Sequence, residues 1–215
     1  MYDDILLPYD GSDGAAVGLH HAVEIADWAD ATITVLFVAD TTRDSVTVVE
    51  NRVVDALVRE GENIVSDAEE TLQGLGADYD SDVVQGNPAP TIAEYAERYD
   101  HDLIVMPTHG REGTSRYLAG SVTEKVVRLS SVPVLTVRMQ PDERLGFPYE
   151  DVLVPTDGST GATRAADHGI ELAAALDATV HVLSAVDDSS LGAAVRSTIS
   201  GSQRERDATA AVDDI

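Results

Sequence analysis

The chain has 215 residues and a formal net charge of −25, because 39 acidic residues face only 14 lysines and arginines. A surface this acidic should repel nucleic acids and anionic membranes, since phosphate binding depends on clustered cations. The absence of cysteine excludes disulfides, thiolate catalysis and cysteine-based metal sites.

The first residues and the distribution of acids predict a cytoplasmic protein. Asp3 and Asp4 precede any apolar stretch, so no secretory signal is predicted. No apolar run approaches the roughly 20 residues that a membrane span needs. The acids are scattered, and Lys125 is the single lysine. This pattern favours a halophilic protein, in a cytoplasm whose salt screens self-repulsion, over an ordinary acidic one.

Strands and helices are predicted to alternate along the first two thirds of the chain. Short apolar or β-branched runs predict strands over 5–9, 31–38, 79–85, 103–106 and 132–137. Apolar residues at helical spacing predict helices over 13–28, 44–72, 90–99 and 123–129. Gly61 weakens the second helix and suggests a bend there. The alternation predicts an α/β fold, a parallel sheet with helices on both faces.

The opening of the chain recurs later as a tandem repeat. Residues 2–40 and 149–187 align without a gap, and nearly half of the paired positions are identical. The second repeat is much shorter than the first. We therefore expect a complete domain over 1–139, a proline-bounded linker over 140–148 and an incomplete repeat over 149–215.

An unusual turn follows the first predicted strand. Asp10, Gly11 and Ser12 come directly after Pro8 and Tyr9. In a parallel sheet, ligands bind beyond the carboxyl ends of the strands, where strand order reverses. Asp10 could accept hydrogen bonds from a ribose or an adenine, or help to hold a metal. The same three residue types also favour a plain turn between strand and helix, so both interpretations stay open.

A glycine-rich segment follows the fourth predicted strand. Glycines allow close backbone approach, and successive N–H groups in such a loop form an anion-binding concavity. Ser121 is predicted to cap the next helix, with Glu124 completing a capping box, and the helix start would favour a phosphate. The segment therefore predicts phosphate binding rather than only a mobile loop. Its glycines and arginines are Gly110, Arg111, Gly113, Arg116 and Gly120.

Several catalytic and metal-binding classes are disfavoured. No lysine precedes Ser121 as a P-loop requires, and no GxGxxG follows the first strand. Ser12, His109 and Asp10 could be imagined as a hydrolytic triad, but no nucleophile elbow accompanies them. No histidine has the spacing of a zinc protease. We predict no catalytic side chain and no metal-ligating side chain.

Three segments resemble the universal stress protein family: ILLPYDGS, THGREGTSRYLAGSVTEKVV and SVPVLTVR. The likeness runs through the first repeat and resumes over 149–187. Nucleotide-binding members carry glycine, two residues, glycine, nine residues, glycine, then serine or threonine. Gly110, Gly120 and Ser121 fit this pattern, whereas Pro107 stands at the first glycine. The resemblance implies a five-stranded parallel sheet of order 3-2-1-4-5, like that of adenine nucleotide alpha hydrolases.

The resemblance also implies a ligand, which is ATP with Mg²⁺ or Mn²⁺. Asp10 would meet the ribose or the adenine, and the backbone at Pro8 and Val38 would flank the base. Gly110 and its neighbours would hold the phosphates, and Gly120 with Ser121 would contact the β- and γ-phosphates. The full candidate set is Pro8, Asp10, Ser12, Val38, Met106, Thr108, His109, Gly110, Arg111, Gly113, Gly120, Ser121 and Val122.

The function implied is that of a regulatory stress-response protein that binds ATP with little or no hydrolysis. Family members dimerise through the fifth strand, so we expect a homodimer, or pairing between repeats, at that edge. Pro107 removes a backbone donor where the pattern has glycine. This substitution favours a second possible function, a dimerisation or interaction module that binds no nucleotide. A third and weaker hypothesis is an enzyme that uses ATP. The second repeat has Asp157 but no counterpart to 110–121, so we predict that it cannot hold a triphosphate alone.

Overall fold

The computed structural model describes residues 1–41, 52–108, 120–138, 146–185, 209, 210 and 212. The chain divides into two compact units, Met1–Phe147 and Pro148–Ile215. The strands are β1 Asp4–Pro8, β2 Thr32–Asp40, β3 Tyr79–Gly86, β4 Leu103–Pro107, β5 Val134–Val137, β6 Asp151–Pro155 and β7 Thr179–Leu183. The helices are α1 Asp13–Ala29, α2 Arg52–Leu75, α3 Pro88–Arg98, α4 Ser121–Leu129 and α5 Thr160–Leu176. Within these ranges, no helix combines the length and apolarity of a membrane span.

The first unit contains a five-stranded parallel sheet of order β3-β2-β1-β4-β5. The predicted fold class and strand order are confirmed. β1 is the central strand, and Ile5 pairs with Ile33 on one side and with Leu103 on the other. Ile5 is fully buried, as expected for a strand covered on both faces, which reads as a continuous apolar run.

Helices cover both faces of this sheet. Leu36 lies in a core cluster with Ile92 of α3 and Val126 of α4. The next residue, Phe37, faces α2, because a Cβ placed on Gly61 would lie 2.5 Å from the Cδ1 atom of Phe37. Successive residues of a strand point to opposite faces. The helices α2 and α3 therefore lie on opposite faces of the sheet.

Gly61 has a packing role in α2. The helix continues without interruption through this glycine, where the sequence suggested a weak point and a bend. Because a side chain there would overlap Phe37 and Val83, the glycine permits close contact between α2 and the sheet. The predicted start of this helix, residues 44–51, lies outside the described residues.

Other predicted boundaries shift by about two residues, as pattern-based boundaries usually do. Helix α3 begins at Pro88, since prolines are tolerated in a first turn that needs no intrahelical N–H partner. Strand β5 begins at Val134 rather than Val132. The Ser130 Oγ donates to the Val132 carbonyl at 2.8 Å and accepts from its amide at 3.0 Å, so a turn occupies these residues.

The second unit repeats the opening β-α-β segment of the first. Its described strands form a two-stranded parallel sheet, β6-β7. Ser159 caps α5 with φ −76° and ψ 157°, nearly the same as φ −78° and ψ 160° for Ser12 at the start of α1. The duplicated sequence therefore folds into a duplicated local structure. The predicted domain and linker limits remain predictions.

Candidate functional site

The strand order reverses between β1 and β4. The strand β1 connects to β2 on one side, whereas β4 lies on its other side and leads to β5. Because all the strands are parallel, β1 and β4 end at the same edge, at Pro8 and Pro107. A crevice at such a reversal is where ligands bind in open α/β sheets. Both unusual segments of the sequence begin at this edge.

The turn after β1 is held by its own side chains. The Asp10 Oδ1 atom accepts from the Ser12 amide at 3.0 Å, and Gly11 has a φ of 74°, which favours glycine. The Ser12 Oγ atom accepts from the Ala15 amide at 3.2 Å and caps α1. Ser12, a candidate binding residue, thus has a structural role. The turn presents the Asp10 carboxylate, partly buried, at the carboxyl end of β1.

Tyr9 is a site residue that the candidate set omits. Its amide donates to the Leu36 carbonyl at 2.9 Å, so β1 stays in register with β2 up to the turn. Burial raises the pKa of Tyr9, and the carboxylates of Asp67 and Asp10 raise it further. Its phenol therefore stays neutral beside Asp10 at physiological pH. No local sequence signal marked Tyr9, because its burial beside Asp67 depends on how α2 packs.

The segment after β4 leaves and rejoins the fold at neighbouring points. The Thr108 amide donates to the Val137 carbonyl at 2.9 Å, which extends β4 alongside β5. The Thr108 carbonyl accepts from the Gly120 amide. The Gly120 amide, a candidate for phosphate contact, therefore has a protein partner in this structure. The candidates between these points, His109, Gly110, Arg111 and Gly113, lie outside the described residues.

The predicted capping box at the start of α4 is wrong. The N-cap is Gly120, which makes no side-chain cap, and Ser121 is the first helical residue. The Glu124 amide donates to the Gly120 carbonyl at 2.9 Å. The start of α4 is instead linked to the sheet by buried Thr123, whose Oγ1 donates a hydrogen bond to the Pro107 carbonyl at 2.8 Å. This bond spans distant parts of the sequence, so a local capping pattern could not reveal it.

The first turn of α4 can still bind an anion. Its N–H groups at residues 121–123 precede the first intrahelical bond, which Glu124 donates. The positive end of the helix dipole lies at the same place. Ser121 is exposed, whereas Val122 is partly buried and packs against the core cluster. Of these two candidates, Ser121 alone has an exposed side chain.

The remaining candidates line the carboxyl edge of the sheet. Pro8 and Met106 are buried at the ends of β1 and β4, and Val38 is partly buried in β2. The Pro107 ring lies against α1, with its Cδ 3.7 Å from a Cβ placed on Gly18. Proline at the expected first glycine thus fills space between β4 and α1. Within the described ranges, no three histidine, aspartate or glutamate side chains form a group that could hold a metal ion.

Comparisons with known proteins agree with this fold. The model of the "Universal stress protein family" matches residues 1–138 and 148–214. Universal stress protein MJ0531 of Methanocaldococcus jannaschii is 33% identical over 141 residues, covering 64% of this chain and 83% of the relative. A universal stress protein solved in complex with cAMP is 26% identical with a TM-score of 0.51, covering 63% of this chain and 97% of its own.

A further solved structure extends the likeness into the second unit. A universal stress protein from Archaeoglobus fulgidus is similar over 91% of this chain and 70% of its own, with a TM-score of 0.70. Its sequence identity is 22%, so this likeness concerns the fold alone. Family matches on both segments agree with the β-α-β element that the structure repeats. The chain belongs to the universal stress protein family.

Proposed function

We propose that the first unit binds ATP, with Mg²⁺ or Mn²⁺, in the crevice between the ends of β1 and β4. The observation that carries the proposal is the shared position of two features, the Asp10 turn and the start of α4, at the switch point of the sheet. A relative that binds cAMP supports an adenine nucleotide as the ligand class. We propose a regulatory stress-response role in a salt-rich cytoplasm.

The residues divide into two groups by the part of the nucleotide they would meet. The Asp10 carboxylate would accept from the ribose or the adenine, with Pro8 and Val38 flanking the base. The N–H groups that open α4 would meet the terminal phosphates. The arginines and glycines of 109–119 would complete the phosphate site. A divalent ion would be held mainly by phosphate oxygens and water, as Mg²⁺ usually is with nucleotides.

Triphosphate binding would change one backbone contact. The Gly120 amide now donates to the Thr108 carbonyl. For this amide to reach a phosphate, the bond that closes the 109–119 segment must open. The nucleotide would therefore be sensed as a rearrangement at the junction of β4 and α4. A rearrangement linked to binding suits a regulatory protein with slow or no hydrolysis.

The duplicated turn provides a matched control. Asp157 makes the same bond as Asp10, accepting from the Ser159 amide at 2.9 Å. We expect Asp10→Asn to weaken ATP binding roughly tenfold or more in calorimetry with Mg²⁺ at high salt, because a hydrogen bond to a charged group is worth about 1.5–3 kcal/mol. Asp157→Asn should leave the affinity unchanged. No binding up to millimolar ATP, or equal losses in both variants, would refute the proposal.

A second function, self-association through β5, is favoured by two exposed apolar side chains on the adjacent helix, Val127 and Leu129. Ile104 and Thr108 donate to the carbonyls of residues 133 and 137, so the amides of residues 134 and 136 point to the side of β5 where no described strand pairs. Thr136→Pro removes only an edge donor. We expect light scattering to show a dimer that this variant converts to a monomer. A dimer that survives would exclude pairing at β5.

A further inference from the structure

The strands β1 and β4 stop pairing before either of them ends. The strand β1 pairs with β2 as far as Pro8, which lies opposite Leu36. With β4 it pairs at two positions, and the second of these joins Leu6 to Ile104. The strand β4 nevertheless continues to Pro107. The carboxyl ends of these two neighbouring strands therefore run on without a ladder between them, at the crevice.

Two prolines account for the end of this ladder. The Tyr9 amide donates to β2, and the Thr108 amide donates to β5. Because the backbone groups of successive strand residues point to opposite neighbours, the preceding residues, Pro8 and Pro107, point toward the gap between β1 and β4. Proline has no N–H to donate. The bonds that would continue the ladder therefore cannot form, and the Pro107 carbonyl is directed at the gap.

A side chain of α4 bonds to this carbonyl. The Thr123 Oγ1 atom donates to it at 2.8 Å, and Thr123 is 4% exposed. A threonine within a helix often bonds back to the carbonyl four residues earlier. Here the acceptor is 16 residues away and belongs to another element. The bond therefore joins helix to sheet, in the first turn of α4, beside the N–H groups that precede the first intrahelical bond.

A second bond joins the same two elements through a different kind of donor. The Gly120 amide donates to the Thr108 carbonyl, and this amide must change partner if it is to meet a phosphate. The bond from Thr123 to Pro107 uses a side-chain hydroxyl instead. A phosphate that accepts from backbone N–H groups leaves this hydroxyl in place. One link between β4 and α4 thus has to open on binding, whereas the other can stay closed.

We propose that Thr123 is a positioning residue for the terminal phosphates of the nucleotide. Its hydroxyl holds the start of α4 against the end of β4 while the Gly120 amide is released to the ligand. The helix start then changes its contacts without leaving the crevice. This role rests on the proposed function, since it concerns the same site. It affects the phosphates alone, because the base and the sugar would lie at the ends of β1 and β2.

Calorimetry with ATP and with AMP, both with Mg²⁺ at high salt, separates this role from a general effect on folding. Thr123→Val nearly keeps the shape of the side chain and removes the donor. We expect it to weaken ATP binding roughly tenfold, because binding must then order a helix start that is no longer fixed. The affinity for AMP should not change. Thr123→Ser keeps the donor and should restore the affinity for ATP.

The helix α2 offers a matched control. The Thr71 Oγ1 atom donates to the Asp67 carbonyl at 3.0 Å, so Thr71→Val also removes a bond from a hydroxyl to a carbonyl. Thr71 lies near the end of α2 that leads into β3, at the edge of the sheet opposite the crevice. This variant should bind ATP and AMP as the wild type does.

A measurement on the wild type does not depend on how well the variants fold. In nuclear magnetic resonance, the signal of the Gly120 amide should move with ATP and stay in place with AMP, because AMP lacks the terminal phosphates. The Thr123 side chain should keep its rotamer with both ligands, since its bond to the Pro107 carbonyl persists.

Several results would overturn the proposal. Equal losses of ATP and AMP affinity in Thr123→Val would indicate general damage to the fold. Unchanged ATP affinity in that variant, or an equal loss in Thr123→Ser or Thr71→Val, would show that this hydroxyl is not the cause. A Thr123 rotamer that changes with ATP would show that its bond had opened. Failure of the proposed function is distinguishable, because the wild type would then bind neither nucleotide, and this inference would fall with it.

Discussion

His101 is a buried histidine whose Nδ1 atom has no hydrogen-bond partner among the described residues. It lies between α3 and β4, with the ring of Tyr95 5.8 Å away and the carboxylates of Asp4 and Asp102 nearby. Burial lowers the pKa of His101 below its usual 6.5, although the two carboxylates and the Ala96 backbone oppose this shift. The folded protein therefore favours the neutral ring.

This pKa shift predicts a dependence of stability on pH. Below pH 6.5 the unfolded chain protonates His101 before the folded chain does, so the free energy of unfolding falls as the pH drops toward the folded pKa. The loss is at most about 1.4 kcal/mol per pH unit. We expect His101→Gln to reduce the slope between about pH 7 and pH 5 in urea titrations. The exposed His20 is the control, and an equal change in His20→Gln would contradict the assignment.

The role of Gly61 in α2 predicts opposite effects for two identical substitutions. Alanine at Gly61 would place a Cβ 2.5 Å from Phe37, whereas a Cβ at Gly74 in the same helix meets nothing within 4 Å. We expect Gly61→Ala to lower the free energy of unfolding by about 1–3 kcal/mol through overpacking. Gly74→Ala should be neutral or stabilise by up to about 1 kcal/mol, through helix propensity. Denaturant titration checks both, and a loss of the same size at both sites would exclude the packing role.

The elements that the sequence predicts well are those whose signal is local. The apolar run of β1 and the Asp10 turn recur in the repeat, and the sheet order follows from the family resemblance. Contacts between distant segments could not be predicted. Local pattern made Gly61 a weak point and Ser121 a cap. In the structure Gly61 instead makes room for Phe37, and Gly120 is the N-cap of α4, which Thr123 links to Pro107 of the sheet. The burial of Tyr9 beside Asp67 likewise depends on how α2 packs.

At the scale of the whole molecule, repulsion among acids opposes folding. The net charge of −25 belongs to a chain with one lysine, so few cations are available to offset the acids. The helix α2, for example, carries exposed acids at Glu60, Glu62, Asp67 and Glu70. The Debye length falls from about 10 Å at 0.1 M salt to about 3 Å at 1 M. Such screening removes most of the repulsion between neighbouring exposed carboxylates.

We therefore expect the melting temperature to rise steeply with KCl up to about 1 M, where screening is nearly complete. Beyond this concentration the melting temperature should level off, because KCl is not one of the strongly excluded salts, such as sulfate, that strengthen apolar burial. Glu62→Gln with Glu70→Gln should raise the melting temperature at low salt and converge with the wild type at high salt. Ser66→Ala, an exposed neutral site on α2, is the matched control. Equal gains at all salt concentrations would show that lost repulsion is not the cause, since only a charge effect disappears when charges are screened.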